Sequence, residues 1–212
     1  MVSHKQIAIH IYGYTKSIKD APDEPSYVEI GFEKGIPASL DGKAMDGVAL
    51  IDRLAQIGGE HGVGRIDNLE NRLVGIKSRE IYEAPAATVL LKAHRALEAL
   101  TLSRDQQCFK EIVTQVYSNL AYDGLWFSAL RYDLDAYVQS SQRFVTGTVR
   151  VRLHKGSAVV LGRKSDYSLY ELSLATYDEG DVFDQSASVG FIHLWGLPVK
   201  TQARIQSREN RA

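Results

Sequence analysis

The sequence predicts an α+β domain, with antiparallel β-hairpins packed against helices and a helical arm at the C-terminus. Two segments whose apolar residues alternate, each with a turn at its centre, flank a block in which apolar residues recur every three or four positions. Strands and helices are thereby segregated rather than alternated, which is the pattern of α+β and not of parallel βαβ units. No internal repeat is visible.

Residues 1–25 read as a start and linker, ending in Asp20-Ala-Pro-Asp-Glu-Pro25, whose two prolines stop a helix from running through. The main domain spans 26–197. In it, Tyr27, Val28, Ile30 and Phe32 alternate with Glu29 and Glu33, Lys34-Gly35 supplies a turn, and Ile36 to Leu40 returns as the second strand. Asp46 then caps a helix whose stripe is Val48, Ile51, Leu54 and Ala55, with Gly58, Gly59, Gly62 and Gly64 expected to end it. Ile66 to Tyr82 mixes apolar residues with charges and reads as extended chain.

Pro85 suits the first position of the next helix, through Val89, Leu90, Ala93, Leu97 and Leu100. Ser103 opens another that carries Phe109, Ile112, Val113, Val116 and Leu120, and a third runs from about Ser128 to Gln142 after Gly124. Val145 to Val151, a turn at Lys155-Gly156 and Ala158 to Leu161 form the second hairpin. A helix is expected around Gly190 to Trp195, a break at Pro198, and a basic tail over 198–212.

Composition excludes several classes of function. With 44% hydrophobic residues in 212, the chain can bury a core, while 25 Lys plus Arg against 26 Asp plus Glu leave no basic footprint for nucleic acid. No apolar run approaches the ~20 residues of a membrane span. Met1 to His10 does not read as a signal peptide, and Cys108 stands alone, so a reducing cytoplasm is expected, with Cys108 a small helix residue. The histidines His4, His10, His61, His94, His154 and His193 are scattered without ligand spacing, so no protein-bound metal is expected. Gly162-Arg-Lys-Ser165 lacks the spacing of a phosphate loop and follows a strand-like run, and Asp178, Glu179, Asp181 and Asp184 read as a solvated acidic turn.

Between His61 and Pro85 the chain concentrates Arg65, Asp67, Glu70, Asn71, Arg72, Lys77, Ser78, Arg79, Glu80, Tyr82 and Glu83 around small apolar spots. Such a density of donors and acceptors suits a zwitterionic ligand, and equally a charged, solvated strand pair.

Read as continuous text, His61-Gly-Val-Gly-Arg-Ile-Asp67, Leu69-Glu-Asn-Arg72, Gly75-Ile-Lys-Ser-Arg79 and Ile81-Tyr-Glu83 resemble the central signature of argininosuccinate synthases. The resemblance continues in order from about residue 15 to 206, through Gly124-Leu-Trp-Phe-Ser128, Val145-Thr-Gly-Thr-Val-Arg150, Tyr167-Ser-Leu-Tyr170 and Gly190-Phe-Ile192. It implies the C-terminal synthetase part of an ATP-dependent ligase that joins citrulline to aspartate through a citrullyl adenylate. In that family ATP, with Mg, is held by an N-terminal domain opening on Ser-Gly-Gly-Leu-Asp, and no such sequence occurs here. No nucleotide is therefore expected to bind this chain alone, and no catalytic residue is assigned in it.

Two positions match citrulline-contacting residues of the family, Glu70 and Tyr82. A carboxylate pairs with the substrate ammonium, and a phenol donates to its carboxylate or ureido oxygen. Arg65, Asp67, Arg72, Lys77 and Arg79 are expected to support those two residues or an interface, and the chain departs from the common family pattern at Glu80, Ala84, Ala87 and Asp166. The tail, with Val199, Ile205, Arg204, Arg208 and Arg211, resembles an arm that reaches neighbouring subunits of a tetramer, so a homo-oligomer is expected. The partners implied are citrulline and a separately supplied ATP-binding half. The competing reading is a noncatalytic binding or assembly module on the same fold.

One expectation is geometric. Glu70 and Tyr82 are twelve residues apart, about 40 Å along a continuous strand at ~3.3 Å per residue. For both to touch one citrulline the chain must reverse between Asn71 and Arg79, most readily at Gly75, and bring the two side chains within roughly 10 Å on a concave surface.

Overall fold

Strand β1, Ser26–Glu33, turns Val28, Ile30 and Phe32 inward and Tyr27 and Glu29 outward, as its alternation requires. It runs down the middle of a five-stranded antiparallel sheet of order β3-β2-β1-β6-β7, formed with β2 (Ile36–Leu40), β3 (Lys43–Ala44), β6 (Gly147–His154) and β7 (Ser157–Lys164). The two hairpins predicted at opposite ends of the chain are thus one sheet. Pairing of β1 with β6 runs from Ser26 opposite Leu153 to Phe32 opposite Gly147, so Val149, Val151 and Leu153 join the same buried face while Arg150 and Arg152 point away. The computed structural model describes residues 11–175 and 184–207, divided into a unit that runs to Leu169 and a second from Tyr170 onward.

Two helices cover that face. Helix α1, Gly47–Glu60, starts where the Asp46 carboxylate accepts from the amides of Val48 and Ala49, and buries Leu50 and Leu54 completely. Helix α2, Pro85–Thr101, begins on its proline and buries Val89, Ala93 and Leu97. Each such leucine or valine contributes about 1.5–3 kcal/mol on leaving water, so this layer is a main contributor to the unit's stability. The glycines expected to end α1 lie partly inside it: Gly58 and Gly59 are buried helical residues that let Pro85 and the backbone at Tyr14 approach closely.

Helix α3, Arg104–Tyr122, opens on a capping box of Ser103 and Gln106, and α4, Ala129–Gln142, on the Ser128 hydroxyl. The pair buries little. It is tied to α2 through Glu98, a nearly inaccessible carboxylate that accepts from Lys110 at 3.1 Å and Gln142 at 2.8 Å, with His94 against both Glu98 and Gln142. Burial holds His94 below the ordinary imidazole value against the opposing pull of Glu98.

The second unit contains α5, Leu172–Ala175, and α6, Ala187–Gln206. The expected break at Pro198 is absent: α6 continues through it. Proline lacks the N–H that the Leu194 carbonyl would receive, but a single missing bond in a twenty-residue helix weakens the ladder without ending it. No residue of α6 is buried within the chain, and Phe191 stacks on Trp195. Asp184 accepts from the Ser186 amide and hydroxyl, whereas Asp178, Glu179 and Asp181 of the acidic segment, His4, His10, Arg208 and Arg211 lie outside the described residues. Among the described residues no helix is long and apolar enough to cross a membrane.

Candidate functional site

The polar segment after α1 folds as a separate two-stranded hairpin, β4 (Arg65–Asn71) with β5 (Lys77–Glu83). Its base is held by close packing and its tip by the hydrogen bonds of a turn. At the base, the Ala84 amide donates to the Gly64 carbonyl at 2.8 Å. Gly64 has φ +93°, and a Cβ there would sit 2.5 Å from the Pro85 nitrogen, so any larger residue collides with the start of α2. At the tip, the Arg72 amide donates to the Ile76 carbonyl and the Gly75 amide to the Arg72 carbonyl, with Gly75 at φ +82°. The reversal therefore falls between Asn71 and Lys77, around the glycine that permits it.

Register decides which residues share a face. Ile66 stands opposite Tyr82, Asn68 opposite Glu80 and Glu70 opposite Ser78, so Glu70, Ser78, Glu80 and Tyr82 project to one side. The Tyr82 hydroxyl donates to Glu70 Oε1 at 3.2 Å, and Asn68 Nδ2 donates to the other carboxylate oxygen at 3.4 Å. The structure thus brings the two predicted residues into direct contact. Desolvation, the bond to Glu70 and the nearby Glu80 all raise the Tyr82 phenol above its ordinary value, which keeps it protonated and a donor.

On the same face Arg72 pairs with Glu80 at 3.1 Å, and Ser78 Oγ is buried without a hydrogen-bond partner among the described residues. An open concavity of about 510 Å³ is lined by Glu70, Arg72, Leu73, Val74, Glu80 and Tyr122 from the end of α3. Tyr82 is outside that lining and meets it through Glu70. Two carboxylates, one guanidinium and phenolic hydroxyls give this surface the complement of an amino-acid head group, a carboxylate for an ammonium and donors for a carboxylate.

The opposite face carries the rest of the charged cluster. Asp67 receives a two-point bond from Arg79, at 2.8 Å and 2.6 Å, which holds the Asp67 carboxyl below its usual value. Lys77 is exposed opposite Asn71. Arg65 and Glu83, directly opposite each other at the base, both grip residues 13–15: Arg65 donates to the Thr15 hydroxyl and carbonyl, and Glu83 accepts from the amides of Gly13, Tyr14 and Thr15 and from the Thr15 hydroxyl. The Arg65 guanidinium also lies 3.9 Å from the Tyr12 ring centre. Residues assigned to a linker are therefore strapped across the back of the hairpin.

Sequence reasoning missed this strap and Tyr122. Strand alternation was available as a signal for Glu83, since it places that carboxylate on the face opposite Tyr82; nothing local marks Tyr122. Among the described residues no three His, Cys, Asp or Glu side chains gather as metal ligands, and Gly162-Arg-Lys-Ser165 is the extended end of β7 and the residue after it.

Fold and hairpin together define an α+β domain with a polar candidate site, on the scale of an amino acid, on a hairpin strapped from behind. Residues 3–202 match the family model described as the arginosuccinate synthase C-terminal domain. The chain is 59% identical over 196 residues to an argininosuccinate synthase of Dehalococcoides mccartyi, covering 92% of this chain and 48% of that protein. Similar relatives of the same name come from Synechococcus sp., 57% identical over 92% of this chain and 48% of the relative, and Rubrobacter xylanophilus, 55% identical over 95% and 49%. The chain belongs to the argininosuccinate synthase family, in its C-terminal domain, and spans about half the length of these relatives.

Proposed function

We propose that this chain is the citrulline-holding and assembly part of an ATP-dependent ligase that joins citrulline to aspartate in arginine biosynthesis. The observation that carries the reading is the Tyr82 hydroxyl on the Glu70 carboxylate, two matched positions that meet on one open face after a separation of twelve residues. Glu70 is the partner for the citrulline ammonium. Tyr82, kept protonated, turns its single O–H from Glu70 to an oxygen of the ligand when citrulline takes up the carboxylate. The chemistry on ATP and its Mg lies with the half of the relatives that this chain does not span, and aspartate is bound there too.

Supporting an assembly role, α6 exposes Val189, Phe191, Ile192, Leu194, Trp195 and Val199 over its length, more apolar surface than a lone helix in water carries. A self-associating chain is the expected state, read by light scattering at micromolar concentration.

Calorimetric titration of citrulline into the chain tests the site. Glu70→Gln and Tyr82→Phe should each weaken binding about tenfold to a hundredfold, the range for one hydrogen bond to a charged group. The chain alone should make no argininosuccinate with ATP and aspartate. Unchanged citrulline affinity in both variants, or pyrophosphate release by the pure chain, overturns the assignment.

A further inference from the structure

At the base of the hairpin, on the face away from the site, the fastening is more elaborate than the small β4–β5 pair needs for pairing alone. One carboxylate, Glu83, collects four donors from three consecutive residues: the amides of Gly13 at 2.8 Å, Tyr14 at 3.1 Å and Thr15 at 2.8 Å, and the Thr15 hydroxyl at 2.6 Å. Arg65, its cross-strand neighbour, closes the joint from the other side by donating to Thr15 Oγ1 at 2.7 Å and the Thr15 carbonyl at 2.6 Å. The strap itself is tied to the main unit where the Lys16 amide meets the Gly59 carbonyl at 2.9 Å and Lys16 pairs with Glu60. Thr15 is buried.

Glu83 follows Tyr82 directly in the strand. Anchoring the carboxylate ties the end of β5 to the strap and, with the rung to Arg65 and the Ala84 amide on the Gly64 carbonyl, limits how far its backbone can move; alternation then sets the direction in which the predecessor's side chain leaves the opposite face. We propose that Glu83 is a positioning residue for substrate binding: by locking the strap of residues 13–15 to the end of β5, it holds the Tyr82 phenol over the Glu70 carboxylate. The inference rests on the reading of Tyr82 as a ligand contact and adds to it the element that aims the phenol. It also assigns a role to residues 11–16: a displacement of that segment reaches the binding hairpin through Glu83 and its cross-strand neighbour Arg65.

A purely structural Glu83 is separated from a positioning one by watching Tyr82 itself. The Tyr82 ring is followed by NMR through a pH titration, its signals identified by their loss in Tyr82→Phe, alongside citrulline affinity and amide exchange at Gly13, Tyr14 and Thr15. In Glu83→Ala the strap amides should exchange faster, the Tyr82 midpoint should move down toward an ordinary tyrosine, and citrulline affinity should fall about tenfold, the scale of one misdirected charge-assisted bond. Glu83→Gln, which retains one accepting oxygen, should fall between. Thr15→Val removes the hydroxyl that donates to Glu83 and accepts from Arg65 while leaving the three strap amides on Glu83, and should move the same readouts in the same direction by less.

An unchanged Tyr82 titration and affinity in Glu83→Ala, with the strap released, overturns the proposal. A shifted Tyr82 titration in a chain that never binds citrulline leaves the positioning of the phenol standing and removes the citrulline reading instead.

Discussion

The five-stranded sheet and the β4–β5 hairpin are both antiparallel, but they are ordered by different means. Every strand in the middle of the sheet has one face against α1 and α2, with Ile30, Val149, Val151 and Leu153 fully enclosed. No residue of the hairpin strands is buried to that degree. Its order comes from its two ends, a base packed at Gly64 and Pro85 and clamped through Arg65 and Glu83, and a tip turned at Gly75. A two-stranded hairpin in water is marginal by itself, so the candidate site rests on attachment rather than on a core. This division leaves Glu70, Arg72 and Tyr82 on an open surface beside Tyr122, where polar side chains remain available to a ligand.

The comparison is tested most severely by damaging the core. Leu54→Ala, at a fully buried position, should cost about 2–5 kcal/mol and lower the melting temperature of sheet and hairpin together, as read by calorimetry. Loss of the sheet with a hairpin that stays protected from amide exchange would show that the hairpin stands alone.

Acid should separate the two regions. Partial burial works to raise the Glu83 carboxyl but is outweighed by the bonds from the Thr15 hydroxyl and the three strap amides, which hold it below the usual glutamate value. A carboxylate depressed in the folded state contributes stability that is fully present above the unfolded value and lost as pH falls through the folded one. The strap amides should therefore lose protection below the ordinary glutamate range, at a cost of about 1–3 kcal/mol for the charge-assisted bonds, before the sheet amides do. Simultaneous loss in both regions would place the weak point elsewhere.

The smallest effect is at the tip. Gly75→Ala meets no neighbouring atom but must adopt a positive φ, so it should cost about 1–2 kcal/mol, confined to hairpin exchange rates and invisible in the sheet. A global fall in melting temperature would mean that the tip supports more than itself.

How much of this was legible follows from the same contrast. The sheet strands and α1 to α4 carry periodic apolar residues, so β1, β2, β6 and β7 and the caps at Asp46, Ser103 and Ser128 were readable from local pattern. That β1 pairs with β6, more than a hundred residues away, was not, because register across such a gap has no local signature. Pro198 misled for a related reason: its cost in an isolated helix is real, yet one lost bond does not end a long helix. In the site, the contact of Glu70 with Tyr82 follows from spacing and a reversal once both are assigned to one ligand. Tyr122 and the strap reach it from distant sequence, and only tertiary geometry reveals them.

The rungs that present the site have a further consequence for how much the chain can change. Glu70 pairs with Ser78 and Tyr82 with Ile66, so both lie on the base side of the turn formed by Arg72 to Ile76. Added residues in that turn lengthen the tip without altering either rung, whereas a single inserted residue within β4 or β5 sends one of the two side chains to the wrong face. An insertion between Leu73 and Gly75 should accordingly keep the pair of side chains below it in register while rebuilding the Leu73 and Val74 wall of the concavity, which separates the part played by that wall from the part played by the pair.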